Sequence, residues 1–305
     1  MLKVIARRLL FAIPLLWVVA TISFFLVSFI PGDPAQTILG ESATAADIAK
    51  LRHQLGLDQP LLVQYVVWLG QIVRGDFGTS IILNVSTWDA IAPCIPITTT
   101  IAVLATLFAF LIGITLGTLA VVRGGLIDRL VRVWAGISNA IPNFWLGPIL
   151  AWVFSIGLGW FPVSGRGTLG HLVLPAVTLG ASLAAVLARI TRASVIEELR
   201  EVYVLAARAR GLSRLRTVVH HAFRNSLIPI VTVLGLQVGS VLTGAVITET
   251  IFAWPGVGRL LIQSITFRDY PLVQGCILLI ALTYVAVNLL VDLVYGLLDP
   301  RIRYE

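Results

Sequence analysis

The residues from which an active site would be drawn are few and badly spaced. Nucleotide-driven chemistry needs a glycine-rich loop ending in Gly-Lys-Ser or Gly-Lys-Thr to cradle phosphate. The two lysines, Lys3 and Lys50, are followed by Val4 and Leu51, so this chain has no such loop. The four histidines are His53, His171, His220 and His221. His220 and His221 adjoin on an expected helix, about 100° apart, and do not chelate one ion as an i, i+4 pair can. Cys94 and Cys276 both fall near the outer ends of expected helices. A disulfide between them is geometrically conceivable, but two isolated cysteines are no framework, and they read as small apolar packing residues. No acid, base or metal set is concentrated where a substrate could be held.

The background to these residues is strongly apolar. Of 305 residues, 58% are hydrophobic and 12% charged, about half the charge of a soluble domain. Six long windows are nearly free of charge: 9–32, 90–122, 133–165, 167–188, 225–248 and 270–291. Each exceeds the roughly 20 residues that cross a hydrocarbon core of about 30 Å. The first follows Lys3, Arg7 and Arg8 like a signal peptide, but its apolar run is too long and no small-residue cleavage site follows. It is expected to be a retained helix.

Orientation follows from the cations. With a cytoplasmic N-terminus, the inner segments hold 16 of the 22 Lys and Arg, and the outer segments hold eight of the 15 acids. The positive-inside rule therefore places both termini in the cytoplasm. The net charge of +7 expresses topology and does not indicate a nucleic-acid surface.

Ion-driven transporters keep ionisable groups inside their spans. Here the window centres are uncharged, and Glu249 and Asp292 lie at window edges, where side chains can reach the interface. That argues against a self-sufficient secondary transporter or channel, and the missing acid–base cluster argues against a membrane-embedded enzyme.

The chain reads as one transmembrane domain over 1–305 with two elaborations. The outer segment 31–89 is too long for a simple connection. Thr44 with Asp47 predicts a helix start, Gly56 its end, and 61–72 a second amphipathic helix after Pro60. This segment is expected to be a small cap. The inner segment 189–226 carries eight arginines. Helical character over 189–210 is interrupted at Gly211, and Ser213 is a candidate N-cap. Leu215, Val218, Val219, Ala222 and Phe223 then recur at helical spacing. Such a segment can lie on anionic lipid headgroups or dock a cytoplasmic partner, and pattern alone does not separate the two. Pro142, flanked by Asn139 and Asn143, marks a candidate pathway-lining stretch, with interhelix hydrogen bonding as the competing role. The pairs Gly113/Gly117 and Gly235/Gly239 allow close helix approach.

In Pro31-Gly32-Asp33-Pro34, Leu55 to Pro60, Arg74-Gly75-Asp76-Phe77-Gly78-Thr79-Ser80, Glu249 to Gly258, Arg268-Asp269-Tyr270-Pro271 and Asp299-Pro300-Arg301, the sequence resembles the permease subunits of the dipeptide, oligopeptide and nickel group of ABC importers, specifically the first of their two paired membrane subunits. Tyr203 to Ser213 followed by His221 to Pro229 is similar to that group's coupling motif. Leu205 stands where the general importer pattern has glutamate, which puts any role for that glutamate in doubt.

The resemblance implies an all-α, type I importer fold of six membrane helices in a prokaryotic cytoplasmic membrane. It implies a non-catalytic subunit working with a homologous second permease, cytoplasmic ABC ATPases that use ATP and Mg, an extracytoplasmic substrate-binding protein and membrane lipid. It assigns ATPase docking to Ala206, Ala207, Arg208, Arg210, Gly211, Ser213, Leu215, Val218, Val219 and Phe223. An outer gate or binding-protein contact falls on Glu249, Pro255, Gly256 and Gly258. Peptides are the expected cargo, with nickel complexes and glutathione as alternatives.

Overall fold

The computed structural model describes residues 2–29, 34–39, 43–54 and 56–298. Pro31-Gly32-Asp33, Leu55 and Asp299-Pro300-Arg301, parts of three of the family signatures, lie outside them. The described residues form fourteen α-helices: α1 Leu2–Ser28, α2 Pro34–Leu39, α3 Ala45–Gln54, α4 Leu61–Val73, α5 Thr87–Ile91, α6 Ile95–Arg123, α7 Gly125–Ala140, α8 Asn143–Leu150, α9 Gly170–Glu198, α10 Val202–Ala209, α11 Arg214–Arg216, α12 Phe223–Ile251, α13 Val257–Thr266 and α14 Tyr270–Leu298.

Five helical stretches are long and apolar enough to cross a membrane: Leu10–Val27, Thr87–Arg123, Gly170–Glu198, Arg214–Ile251 and Tyr270–Val291. The sixth expected window, 133–165, is not a straight span. It becomes α7 and α8, bent by 108°. Pro142 has no N–H and disfavours helical backbone in the residue before it, and Ile141 accordingly adopts φ −84°, ψ 118°. The chain re-enters helix with Trp145 N donating to Pro142 O, and α8 runs on as a π-turn over Ala151–Gly157.

By internal packing the chain divides into two units. Among the described residues, the first comprises 98–254 and 286–298. Its core is built on α9, with Leu183, Ala184, Leu187, Ala188 and Val195 buried. Small residues allow the neighbouring backbones to close in. A Cβ on Gly113 would stand 2.6 Å from Leu187 Cβ, and one on Gly180 would stand 2.5 Å from Ala105 O. On α7, Asp128 binds Arg192 of α9 through both carboxylate oxygens and Arg132 at 3.4 Å.

The second unit comprises 2–97 and 255–285. The two helices expected within 31–89 are present, as α3 and α4. Thr44 Oγ1 accepts from Asp47 N at 3.2 Å at the start of α3, and Gly56 turns the chain at φ +68°. Tyr65 of α4 meets Thr21 of α1 at 2.8 Å beside Phe24 and Phe25. Ile91, Val257, Leu272 and Cys276 form a core cluster against which Cys94 packs. Both cysteines are free thiols in this structure, packed among apolar neighbours.

Candidate functional site

The inner segment begins where α9 stops at Glu198. The continuous helix expected over 189–210 is broken here, because Glu201 is extended (φ −66°, ψ 142°) and restarts the chain as α10. Tyr203 holds α10 against the helices on both sides. Its hydroxyl donates to Glu198 and accepts from Asn225 Nδ2 at 2.8 Å. Burial, and then the Glu198 carboxylate, push the Tyr203 phenol up from its ordinary value. Val204 and Ala207 turn inward, and Leu205, Ala206, Arg208 and Arg210 stay exposed.

Gly211 sits at φ +83° with open space around its Cα. The backbone, not crowding, calls for glycine here. Ser213 caps the next helix as expected, its Oγ accepting from Arg216 N at 3.4 Å. Arg214 Nη2 donates to Val121 O at 2.8 Å.

The apolar face expected over 215–223 is only partly realised. Val218 and Ala222 are fully buried with Val121 and Val195, and Phe223 packs beside them. Leu215 and Val219 remain 59% and 40% exposed. The cause is the π-turn Thr217–Ala222, whose i→i+5 bonding adds a residue to the turn and rotates side chains away from the 3.6 spacing. The turn joins α11 to α12 without a break, so the second amphipathic helix runs on into the long apolar helix that ends at Ile251. The docking candidates therefore divide into two sets. Ala206, Arg208, Arg210, Gly211, Ser213, Leu215 and Val219 face outward, whereas Ala207, Val218 and Phe223 anchor them.

Asn139 and Asn143 come together across the bend between α7 and α8. They line a cavity of about 200 Å³ with Leu179, Ser182, Leu183, Val186, Gln237, Ser240 and Val241. Asn139, with its amide turned to suit its partners, donates to Ser182 O at 3.2 Å and accepts from Arg189 Nη2 at 2.6 Å. Gln237 and Ser240 escaped the sequence reading, although a polar pair at i, i+3 in an apolar span is a legible signal.

Of the outer-gate candidates, Glu249 does not reach an interface. It is 0% exposed and accepts from Thr98 Oγ1 at 2.6 Å, and a neighbouring hydroxyl within the same unit takes the place of water. In the other unit, Pro255 is exposed, Gly256 precedes the first turn of α13, and Gly258 is buried. That unit also holds a node the sequence reading missed. Asp269, 1% exposed, accepts from Ser80 Oγ, from Ile82 N at 3.2 Å and from Leu272 N at 3.3 Å. One carboxylate thus caps α14 and fastens the Arg74–Ser80 signature to the Arg268–Pro271 signature. An aspartate immediately before a helix start was the available clue.

The described residues thus present an arginine-rich segment with an exposed glycine turn, set among long apolar helices. Residues 109–304 match the family described as binding-protein-dependent transport system inner membrane component, and residues 1–102 match its N-terminal counterpart. The chain belongs to this family, and the resemblance to the peptide group of ABC importer permeases holds. Over the full length of both chains it is 42% identical to the di/tripeptide transport system permease protein of Pseudomonas aeruginosa. It is 43% identical to a glutathione transport system permease protein of Salmonella paratyphi A, and 42% identical to that of Escherichia coli K12, again over all of both chains. A chain of the MetNI methionine ABC transporter in inward-facing conformations shares the fold at TM-score 0.55 and 18% identity, covering 68% of this chain and 96% of that one. The protein is a multi-pass inner-membrane permease subunit of an importer.

Proposed function

We propose that this chain forms half of the translocation pathway of an ATP-driven importer of di- and oligopeptides. In this reading ATP and Mg are used by separate ATPase chains, a homologous second permease completes the pathway, and a substrate-binding protein delivers cargo near Pro255, Gly256 and Gly258. The termini are cytoplasmic, and residues 1–305 work as one permease domain. The full-length likeness to a permease named for di/tripeptides supports the cargo. The likeness to permeases named for glutathione favours glutathione, itself a small peptide, as the second reading.

The observation that carries the coupling role is the division of the inner segment. Ala206, Arg208, Arg210 and Gly211 are exposed, whereas Val204, Ala207, Val218 and Ala222 are buried. A compact helix–turn of this kind can fill a groove on a soluble motor and pass on rigid-body motion. The test is Ala206→Glu and Arg208→Glu, both at exposed positions. Each is expected to strip the ATPase chains from the purified complex and abolish uptake while the permease stays in the membrane. Full co-purification with normal uptake would overturn the docking assignment.

A further inference from the structure

The cavity at the bend of the third span has a lining suited to one chemistry. Non-helical backbone at membrane depth is tolerated where it is packed against protein or lines a water-filled space. Here the break at Ile141–Pro142 is flanked by two residues of the cavity wall, Asn139 and Asn143. Asn139 is engaged by Ser182 O and Arg189. Among the described residues, the side-chain amides of Asn143 and Gln237 meet no protein hydrogen-bond partner. Ser240, one turn from Gln237, donates its hydroxyl to Gln237 O at 2.6 Å and keeps acceptor capacity toward the cavity. Leu179, Leu183, Val186 and Val241 supply the remaining, apolar wall.

We infer that this cavity is a cargo subsite of the permease itself, in which Asn143, Gln237 and Ser240 recognise a peptide bond. A carboxamide offers both a donor and an acceptor. Two such groups with a hydroxyl complement the N–H and C=O of one backbone amide without regard to side chain, and the aliphatic wall takes a small apolar residue beside it. The lining holds no carboxylate or imidazole, so it does not suit a bare metal cation. A volume of about 200 Å³ admits a residue or two of the cargo, not a long chain. The permease then adds its own selection to any made earlier by a delivery protein. This inference rests on the peptide-import reading above and deepens it.

The test compares dialanine with alanyl-lactate, which replaces the peptide N–H by an ester oxygen, as cargo for the complete transporter reconstituted in liposomes. The ratio of their uptake rates is measured for the unaltered complex, for Gln237→Leu and for Ser240→Ala, with all other chains the same. A change in the ratio then belongs to the permease. The ratio is expected to fall by roughly fivefold in Gln237→Leu, the effect of one lost hydrogen bond, and by less in Ser240→Ala, which keeps the span's packing if the larger change impairs insertion. An unchanged ratio in both variants, with peptide uptake intact, overturns the subsite and leaves the importer reading standing. Failure of the unaltered complex to take up either cargo or glutathione overturns the peptide reading and the subsite with it.

Discussion

Arg214 reaches from the start of α11 to the carbonyl oxygen of Val121, in the last turn of α6, at 2.8 Å. The carbonyls of a helix's final turn lack intrahelical partners and carry the negative end of its dipole, so a guanidinium is favoured there. Gly124, at φ +64°, turns the chain just beyond, and a Cβ on it would stand 3.6 Å from Arg214 Nη2. The contact fastens the inner segment to a membrane helix. Arg214→Ala is expected to cost about 1 kcal/mol, read as earlier thermal unfolding of the solubilised complex. It should also raise the ATP hydrolysed per peptide imported, and an unchanged ratio would assign the contact to stability alone.

Two glycine-to-alanine changes should have opposite signs. At Gly180 the new Cβ would meet Ala105 O at 2.5 Å and Phe108 Cδ1 at 2.9 Å, whereas at Gly136 on α7 nothing lies within 4 Å. Gly180→Ala is expected to destabilise by about 1–3 kcal/mol through overpacking. Gly136→Ala should stabilise by about 0.5–1 kcal/mol through helix propensity. Thermal unfolding of the two variants side by side checks the pair.

Asp269 offers a test of the second unit. Asp269→Ala leaves the hydroxyl of Ser80 and the amides of Ile82 and Leu272 without their shared acceptor. The expected loss is about 2–4 kcal/mol, since buried donors are left unpaired. Limited proteolysis at Arg74 and Arg268 should accelerate together, because the same carboxylate fastens both signatures.

His53 and Asp58 define a pH window between α3 and α4. His53 Nδ1 lies 2.7 Å from Asp58 Oδ2. The hydrogen bond to Asp58, then its charge, raises the imidazole above its ordinary value, and the same bond lowers the carboxyl. A raised imidazole contributes stability below its unfolded value and loses it as pH rises through the folded one. A depressed carboxyl contributes above its unfolded value and loses it as pH falls through the folded one. The contact therefore acts between the lowered carboxyl and the raised imidazole. In Asp58→Asn, an NMR titration should show His53 falling back toward its ordinary value.

Much of this could be read from the residues. Charge-free windows located the spans because burying a charge in lipid costs more than local propensity supplies. Thr44 and Ser213 announced their caps, since their hydroxyls serve orphan amides a few residues on. The misreadings came from effects that neighbours in sequence do not reveal. Pro142 was visible, but a 108° bend depends on what the freed backbone meets. The π-turn at Thr217–Ala222 falsified the assumed spacing and put Leu215 and Val219 outside. The bond between Ser80 and Asp269 spans 189 positions, beyond any periodicity argument, and the Thr98 hydroxyl that receives Glu249 is 151 positions away.

The π-turn also bears on how a displacement would pass along the helix in the proposed coupling. Because α11 passes into α12 without interruption, Arg214–Ile251 is a single stave of 38 residues, about 57 Å long at 1.5 Å per residue. A tilt of about 10° imposed at Arg214 would swing the opposite tip by roughly 10 Å over that length. Under the proposed coupling, a small displacement at Arg214 would thus become a wide sweep at Ile251.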